Sequence, residues 1–452
     1  MANETLELAR YCSELRYQDL PPAVVEKAKE CVLDLLGCAV AGHPMESSRI
    51  VAGMVRSVGG TEEASVIGEG VKVPLANAAL ANGTIAHALE LDDTHRWTTL
   101  HAGASLIPAA LVMAEKHRLS GKEFLTAVVA GYEAAIRLAL AVSPSHRNRG
   151  FHTSATVGAV GSTASAARAM GLDPETTANA FGIGGTQAAG LFEFLTDGSM
   201  TKRLHPGRSA QSGVYAALLA SSGFTGPRTI LEGDFGFCRA MSDNPDITWL
   251  NRGLGSEFKI LEMGVKPYAS CRYCHASIDA AQNILAESGP LKADEIAEVV
   301  DVASHRNVSQ TGSREPKTFM GGQLSTPYSV ALVLTGRGAG FAQYLNGLQD
   351  KEVMDATRKV RMVEEPGFGE LSRRVELTVK LVDGRSFSSA VDLPYGEPEN
   401  PLSKEALRAK FMGLTTTAIP QERAERIAGL IETIPSMESL GGLISLLAEP
   451  SR

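Results

Sequence analysis

The sequence is poor in aromatic residues, in cysteine and in positive charge. Aromatic side chains make up 6% of the chain, whereas glycine occurs 45 times, which favours closely packed helices with small side chains. The 43 Lys and Arg residues are outnumbered by 51 Asp and Glu residues, so the formal net charge is −8 and no nucleic-acid partner is expected. The six cysteines are scattered, as is typical of a reducing cytoplasm.

Export signals and long apolar runs are also missing. The first 18 residues are polar and amphipathic, without the basic segment and apolar segment of a signal peptide. No apolar stretch reaches the length of a membrane span. We therefore expect a cytoplasmic protein that has no membrane partner.

The common cofactor motifs are incomplete or absent. Neither G-x-x-x-x-G-K-[ST] nor G-x-S-x-G occurs, and Gln187 stands where the last glycine of G-x-G-x-x-G belongs. Residues 271–275, CRYCH, match the c-type haem string, but haem attachment requires export, and no second ligand pair at zinc spacing accompanies them. These motifs therefore give no support to a nucleotide cofactor, a covalent haem or a structural zinc site.

Helical patterns dominate the first 260 residues. Residues 21–36 place their apolar side chains on one helical face. Ser120 and Glu123 form a capping box that opens a long helix. Residues 76–89, 104–117 and 153–170 have the composition of small-residue helices.

The pattern changes after Gly264. Residues 295–303 have the β-branched composition of a strand, and residues 374–393 predict a hairpin around Asp383-Gly384. Helical patterns lie between these strands and return from Ser403. We predict a mainly α protein, with a large all-helical domain (1–262) completed by the C-terminal tail (397–452) and a smaller α+β domain (263–396).

A polar stretch, residues 90–103 (ELDDTHRWTTLHAG), interrupts the helical region between two apolar segments. Buried carboxylates and imidazoles need partners, and clusters of them often mark functional sites. A capped turn between two core helices, with Asp93 or Thr94 as the N-cap, is a compatible alternative.

The same stretch offers metal-ligand types. Asp92, Asp93, His95 and His101 are suitable in kind, although they lack a recognised spacing such as H-E-x-x-H. A metal-dependent hydrolase that uses these four residues is therefore an alternative of another class.

Two basic clusters lie further along the chain. Residues 201–208 carry three cations and His205. Lys266 precedes a proline, which favours extended backbone, at the junction of the two predicted domains. Both clusters could be solvated surface, but the apolar surroundings of Lys266 argue against that interpretation there.

Taken together, these features resemble the MmgE/PrpD family. The resemblance covers nearly the whole chain and rests on the order and spacing of several motifs, because no single motif is decisive. The motifs are Asp34-Leu-Leu-Gly37 with Ala41-Gly42, Asp92-Asp93-Thr94 with His101, Gly150-Phe-His152, Thr201-Lys202 with His205-Pro-Gly207, Leu231-Glu-Gly233, Lys266-Pro267, and Ser325-Thr-Pro-Tyr328-Ser329.

The resemblance implies that the smaller α+β domain is a lid. It also implies a homodimeric enzyme that needs no metal or organic cofactor. Its substrate would be a small di- or tricarboxylate, in which a bond next to a carboxylate is made or broken. The implied catalytic residues are Asp93, His101, Lys202, Lys266 and Tyr328. The candidates for substrate binding are Thr94, His152, His205 and Arg272.

The chemistry of such a substrate asks for these residue types. Several carboxylates need cations, which Lys202, Lys266, His152 and Arg272 can supply. Proton removal next to a carboxylate builds negative charge, which preorganised donors stabilise.

The proton-transfer roles follow from ordinary pKa values. His101 titrates near neutral pH unaided, and Lys266 would do so if burial or a neighbouring cation lowered its pKa. Asp93 would orient His101, and Tyr328 would donate a proton on the opposite face.

The sequence departs from two branches of the family. A Trp commonly follows the Asp-Thr pair in its dehydratases and decarboxylases, and Pro-Ser follows the His, whereas His95 and Ala102-Gly103 stand here. The best single prediction is therefore an iminodisuccinate epimerase-like reaction, with 2-methylcitrate dehydratase and cis-aconitate decarboxylase as alternatives. A non-enzymatic carboxylate-binding protein is disfavoured, because simple binding does not need Asp93 and His101 together.

Overall fold

A computed structural model describes residues 3–369 and 372–451. The chain divides into unit 1 (Met1–Ala88, Asp92–Gly264 and Ser403–Arg452) and unit 2 (Leu89–Leu91 and Val265–Leu402). The sequence placed Leu89–Leu91 in the helical domain, but hydrogen bonds tie this tripeptide to unit 2. Gln323 Nε2 donates to the Leu89 carbonyl at 2.8 Å, and Lys266 Nζ donates to the Glu90 carbonyl at 2.7 Å.

Unit 1 is helical apart from two pairs of two-residue strands within its described residues. Its elements are α1 (Glu4–Glu14), α2 (Pro22–Gly42), α3 (Glu46–Val58), β1 (Ala64–Ser65), β2 (Lys72–Val73), α4 (Leu75–Ala86), β3 (Thr94–His95), α5 (Gly103–His117), α6 (Gly121–Val142), α7 (Ser145–Asn148), α8 (Thr153–Ala169), α9 (Pro174–Thr186), α10 (Phe194–Asp197), α11 (Thr201–Ser221), α12 (Phe237–Met241), β4 (Met263–Gly264), and, after unit 2 in the chain, α19 (Lys404–Thr415), α20 (Gln421–Glu432) and α21 (Gly441–Ala448).

Unit 2 combines short helices with one sheet. Its elements are α13 (His275–Ser288), β5 (Ile296–Ala303), α14 (His305–Thr311), α15 (Phe319–Gln323), α16 (Thr326–Leu334), α17 (Phe341–Asn346), α18 (Lys351–Lys359), β6 (Val360–Glu364), β7 (Val375–Leu381) and β8 (Ser386–Val391).

Small residues bring the helices of unit 1 into backbone contact. A Cβ added at Gly207 on α11 would lie 2.2 Å from the Leu80 carbonyl oxygen on α4. A Cβ added at Gly83 would lie 2.7 Å from the Gly207 Cα. Glycine is therefore required where α4 crosses α11, and this crossing sets the position of the polar residues on α11 relative to the end of α4.

The C-terminal segment from Ser403 belongs to the helical unit, whereas residues 397–402, which the sequence analysis assigns to the same domain, belong to unit 2. The buried Asp34 on α2 forms an ion pair with Lys410 on α19. A Cβ at Gly37 would lie 2.9 Å from the Phe411 ring, so α2 and α19 also pack closely. Helix α6 has the length and hydropathy of a membrane span, yet 94% of its most apolar window is buried in the protein, as in the core helix of a soluble protein.

The sheet of unit 2 has the strand order β6-β5-β7-β8. Strand β5 pairs in parallel with β6 and antiparallel with β7, and β7 pairs antiparallel with β8 across the predicted hairpin. Val375, Leu377 and Val379 of β7 are fully buried, and α13 packs on β7 and β8. The predicted fold class, mainly α with a smaller α+β region, is confirmed.

Candidate active site

The polar stretch between α4 and α5 has an irregular, strained backbone. Helix α4 ends at Ala86, and Gly103 opens α5. Between them, Glu90 and Thr99 have φ angles of 60° and 55°, a left-handed conformation that costs a non-glycine residue on the order of 1–2 kcal/mol. Strain of this kind clusters at functional sites. The strained backbone therefore agrees with the expectation that this polar stretch is functional.

The Asp92 carboxylate lies between two imidazoles. His87 Nδ1 lies 2.9 Å from each Asp92 oxygen, and His101 Nδ1 lies 3.2 Å from Oδ2. The two rings meet edge to face, with centroids 4.7 Å apart. Burial alone would raise the pKa of Asp92, but the two imidazoles hold this pKa well below its usual range. Asp92 is therefore an ionised carboxylate placed between two imidazoles.

Asp93 has a different environment. Its Oδ1 accepts from the Gly103 N–H at 3.0 Å and its Oδ2 from the Tyr132 hydroxyl at 2.5 Å. Burial raises the pKa of Asp93 to about 7, although the Tyr132 hydrogen bond opposes this shift. Asp93 is therefore partly protonated near neutral pH.

These contacts correct one predicted role. Within the described chain, the carboxylate beside His101 belongs to Asp92 and not to Asp93, because the Asp93 side chain turns towards Gly103 and Tyr132. A Cβ at Gly103 would lie 2.8 Å from the Tyr132 hydroxyl and 2.9 Å from Asp93 Oδ1. The glycine after Ala102 thus makes room for the Asp93–Tyr132 pair.

A second polar group joins α8 to α11. Nδ1 of His152, at the N-cap of α8, lies 2.8 Å from Nδ1 of His205 on α11. Lys202, one turn before His205, lies 6.0 Å from the centroid of the Phe194 ring. His152 and Lys202 are 1% and 6% exposed, so both belong to the interior of the unit.

The His152–His205 pair is neutral. Burial, with His205 and Lys202 nearby, holds the pKa of His152 well below its usual range. Burial, with His87 and Lys202 nearby, lowers the pKa of His205 to about 4. The prediction that His152 supplies a cation is therefore wrong, because the buried imidazole is uncharged at neutral pH and acts through hydrogen bonds.

Thr94 and His95 form the short strand β3, which pairs with Met263 and Gly264 of β4. Thr94 is buried. His95 contacts Thr98 Oγ1 at 2.9 Å and Glu262 Oε2 at 3.0 Å. Thus His95 is held away from the Asp92 group by its own hydrogen bonds.

The predicted four-residue metal block is not assembled. Among the described residues, the one group able to hold a metal is His87, Asp92 and His101, whose ligand atoms lie within 4.8 Å of one another. Imidazole and carboxylate suit a borderline or hard divalent cation. Asp93 and His95, two members of the predicted block, are engaged elsewhere.

Lys266 is anchored within unit 2. The residue is 1% exposed, and its Nζ donates to the Glu90 carbonyl at 2.7 Å and to Glu90 Oε1 at 3.3 Å. The interpretation of Lys266 as a solvated surface residue is wrong, because burial and an ion pair fix the ammonium group in the interior. The strained φ of Glu90 brings its carbonyl and carboxylate to the same ammonium group.

Arg272 and Tyr328 are also buried in unit 2. Arg272 donates to Glu397 Oε1 at 3.0 Å, to His275 Nδ1 at 2.8 Å and to the Tyr395 carbonyl at 3.0 Å. The Tyr328 hydroxyl donates to the Tyr344 carbonyl at 3.0 Å, and burial raises its pKa. Catalytic proton donation by Tyr328 stays a prediction.

Sequence reasoning missed three partners. His87 contacts Asp92, Tyr132 contacts Asp93, and Glu90 contacts Lys266. The spacing of five residues between His87 and Asp92, at the end of a small-residue helix, was the signal available for the first pair. Tyr132 lies on a core face of α6 and carries no local signal, since its role depends on the packing of α6 beside Gly103.

Comparison with known proteins identifies the class. Residues 6–250 match the MmgE/PrpD N-terminal domain, and residues 268–435 match the MmgE/PrpD C-terminal domain. The chain belongs to the MmgE/PrpD family, and the predicted enzyme of isomerase or lyase type is confirmed.

Individual relatives cover 97–99% of the chain. The chain is 28% identical to a cis-aconitate decarboxylase of Aspergillus terreus, over 99% of this chain and 96% of the relative. The human cis-aconitate decarboxylase is 25% identical over 97% of this chain and 93% of its own length. The mouse cis-aconitate decarboxylase is 25% identical over 97% and 92%, respectively.

Proposed function

We propose that the protein is a lyase that decarboxylates a small tricarboxylate, with cis-aconitate as the first candidate substrate. The observation that carries the proposal is the Asp92 carboxylate between His87 and His101, which suits proton delivery to carbon. The relatives named above are all cis-aconitate decarboxylases. The predicted preference for iminodisuccinate epimerisation has no such support, so the lyase takes precedence.

The reaction sets a simple requirement for the site. One carbon–carbon bond to a carboxylate breaks, its electron pair stays with the carbon framework, carbon dioxide leaves, and one proton is added to carbon. The site must therefore bind several carboxylates and deliver one proton.

His101 is the proposed proton donor. An ionised Asp92 at 3.2 Å stabilises the charged imidazolium, and His87 on the other side of Asp92 allows the proton to be shared. The pairing fixes the His101 ring in one orientation, as general acid catalysis requires. Asp93 supports this geometry indirectly, because it ties the start of α5 at Gly103 to Tyr132.

Lys202 is the proposed carboxylate-binding cation of unit 1. It is 6% exposed and lies beside two neutral imidazoles, so its positive charge acts in poorly hydrated surroundings where electrostatic attraction is strong. His152, His205 and Thr94 add uncharged hydrogen-bonding groups. We also propose that three residues of unit 2 take part in the reaction, namely Lys266, Arg272 and Tyr328. Substituting each of them singly tests this part of the proposal.

We propose that the reaction needs no metal or organic cofactor. The His87, Asp92 and His101 trio is the one described group of metal-ligand type, and its members contact one another directly through the Asp92 carboxylate. Metal analysis of the active protein tests this point. Stoichiometric metal, with activity lost on chelation and regained on its return, would favour a metal-dependent enzyme instead.

We also propose a cytoplasmic homodimer. All six cysteines are free thiols, as in a reducing compartment. Leu204, Tyr215 and Leu219 share one face of α11 and are 37%, 42% and 40% exposed, which is typical of an association surface. Light scattering should give a dimer for the wild type and a smaller particle for Leu219→Glu; a monomeric wild type would contradict the proposal.

Proton NMR tests the reaction. Metal-stripped enzyme is incubated separately with cis-aconitate, 2-methylcitrate and iminodisuccinate. The proposal expects the two olefinic =CH2 signals of itaconate from cis-aconitate, and their formation about 100-fold or more slowly by Asp92→Asn purified in the same way. Reaction of either other compound without itaconate formation, or no reaction of any of the three, would overturn it.

A further inference from the structure

Two cysteines of unit 2 occupy one turn just before α13. Cys271 is the N-cap of a 3₁₀ turn formed by Arg272–Cys274, and the Cys274 N–H donates to the Cys271 carbonyl at 2.8 Å. The first and last Cα atoms of such a turn lie within about 7 Å of each other, and a disulfide needs a Cα separation of about 4.4–6.8 Å. The backbone of this turn therefore suits a disulfide without a large movement.

Both cysteines contact the same carbonyl oxygen. The Cys271 N–H donates to the Gln323 carbonyl at 2.7 Å, and Cys274 Sγ lies 4.0 Å from that oxygen. Burial raises the pKa of the Cys274 thiol, and a negative charge on Cys271 raises it further. The two thiols are therefore electrostatic neighbours as well as neighbours in the turn.

The two thiols differ in their access to solvent. Cys271 is partly exposed, whereas Cys274 is fully buried. The other four cysteines are buried in unit 1, at positions 12, 31, 38 and 238. An accessible cysteine beside a second, resolving cysteine is typical of redox-sensing pairs.

The neighbouring His275 does not complete a metal site. Its Nδ1 lies 2.8 Å from Arg272 Nη1, and its Nε2 lies 3.3 Å from the Ser270 carbonyl oxygen. Both ring nitrogens are engaged, and the described residues form no group of three metal ligands around the two thiols. In the reducing compartment proposed above, a disulfide is usually transient and redox-sensing. The pair therefore suits a reversible thiol reaction better than a metal or a permanent cross-link.

We propose that Cys271 and Cys274 form a reversible disulfide when the protein meets hydrogen peroxide, and that this bond slows turnover. The Cys271 thiolate sulfur attacks one peroxide oxygen, the O–O bond breaks, and Cys271 becomes a sulfenic acid as hydroxide leaves. Cys274 then gives up its proton, its sulfur attacks the Cys271 sulfur, and the S–O bond breaks as the oxygen leaves in water. Overall, two thiols lose two protons and two electrons, and one peroxide becomes two water molecules.

The turn is connected to residues that the proposed function uses. Arg272 lies between the two cysteines, and Gln323 Nε2 donates to the Leu89 carbonyl at 2.8 Å, next to the Glu90 that binds Lys266. A disulfide holds its two Cβ atoms about 3.8 Å apart, so closure constrains the turn that carries Arg272. The effect on turnover rests on the proposed function, whereas formation of the disulfide does not.

Trypsin and mass spectrometry test the bond directly. Trypsin cuts after Arg272, so the two cysteines fall on separate peptides, residues 260–272 and 273–292, which stay together only through a disulfide. Reduced wild-type protein is treated with hydrogen peroxide, alkylated and digested, with or without dithiothreitol before alkylation. We expect the linked peptide pair to appear with peroxide and to disappear with dithiothreitol. The matched control, Cys238→Ala, removes a buried cysteine of unit 1 and should leave the linked pair unchanged.

Turnover of cis-aconitate is measured on the same samples before digestion. Peroxide should slow the wild type and Cys238→Ala about tenfold or more, because small displacements near a site are costly, and dithiothreitol should restore both. Cys271→Ser lacks the accessible thiol, so it should form no linked pair and slow less than about twofold. Cys274→Ala lacks the resolving thiol, so Cys271 should proceed to a sulfinic acid that dithiothreitol does not reduce.

Each outcome decides for or against the disulfide switch. It is supported if the linked pair and the slower turnover appear together, reverse together, and are both absent from Cys271→Ser. It is overturned if both cysteines stay thiols, if Cys271 of the wild type is oxidised without linking to Cys274, if the oxidised protein turns over as fast as the reduced one, or if Cys271→Ser slows as much as the wild type. Should the reduced protein turn over no cis-aconitate, the proposed function fails, and the linked pair and its absence from Cys271→Ser decide alone.

Discussion

Asp92 holds both carboxylate oxygens 2.9 Å from Nδ1 of His87, in the interior of the helical unit. The same carboxylate lies 3.2 Å from His101, so one negative charge serves two imidazoles. Asp92→Asn removes that charge at nearly constant volume. We expect activity to fall about 100-fold or more, because a general acid contributes 10²–10⁴-fold and loses its stabilised proton here.

The matched control for Asp92→Asn is Asp234→Asn, which removes a carboxylate whose side chain is 83% exposed. Its activity should equal that of the wild type. Circular dichroism and melting temperature should confirm that both variants fold. Full activity of a folded Asp92→Asn would exclude a role for the Asp92 charge in catalysis.

The raised pKa of Asp93 predicts that the stability of the protein depends on pH. Burial raises its pKa from 3.8 to about 7 in the folded protein. Between these values the native state holds a proton that the unfolded chain releases, so the free energy of unfolding falls as pH rises, by about 4 kcal/mol over the whole window. The Asp93→Asn variant has no titrating carboxyl at this position, so this decrease in the free energy of unfolding should be absent.

Urea unfolding of the wild type and Asp93→Asn from pH 5 to pH 8 measures the effect. The free energy of unfolding of Asp93→Asn minus that of the wild type should increase with pH up to about pH 7 and then level off. Parallel curves would show that Asp93 has no raised pKa.

His152 should act as a neutral hydrogen-bonding group. His152→Gln keeps a polar, uncharged side chain, and we expect a loss of activity of about tenfold at most. His152→Lys places a second buried cation near Lys202 and should cost about 100-fold. His305→Gln, at a histidine that is 67% exposed, serves as the control. Higher activity of His152→Lys than of His152→Gln would restore the cation role that the sequence predicted.

The Lys266–Glu90 pair should behave as a buried ion pair. Glu90→Gln leaves the ammonium group in the interior without its carboxylate, and we expect the free energy of unfolding to fall by about 3 kcal/mol. Adding Lys266→Met to this variant should regain most of the loss. Glu376→Gln, which breaks an exposed pair with Arg374, should cost less than about 1 kcal/mol. A loss that the double variant does not regain would mean that Glu90 stabilises the fold by another route.

The sequence predicted the fold better than the pairing of the site residues. The Ser120–Glu123 capping box and the Asp383-Gly384 turn are local signals, and the helix α6 and the β7–β8 hairpin formed where they indicated. The resemblance and the expected chemistry suggest that Asp93 orients His101, but orientation within an irregular loop depends on contacts from α6 and α5. Neighbouring carboxylates cannot be told apart by spacing alone.

The same limit applies to charge. The sequence analysis expects His152 to be a cation because a substrate with several carboxylates needs cations, yet burial against His205 and Lys202 decides its charge. Glu90 gave no signal as the partner of Lys266, because 176 residues separate the two in the chain. Burial and long-range pairing are properties of the packed chain, so they required the structure.

The most direct test of the central claim compares metal-stripped wild-type protein with His101→Gln on cis-aconitate in D2O. The wild type should form itaconate that carries one solvent deuterium per molecule, and a folded His101→Gln should be slower by about 100-fold or more. Itaconate formation by His101→Gln at the wild-type rate, or wild-type activity that appears only after a divalent metal is added, would contradict the account.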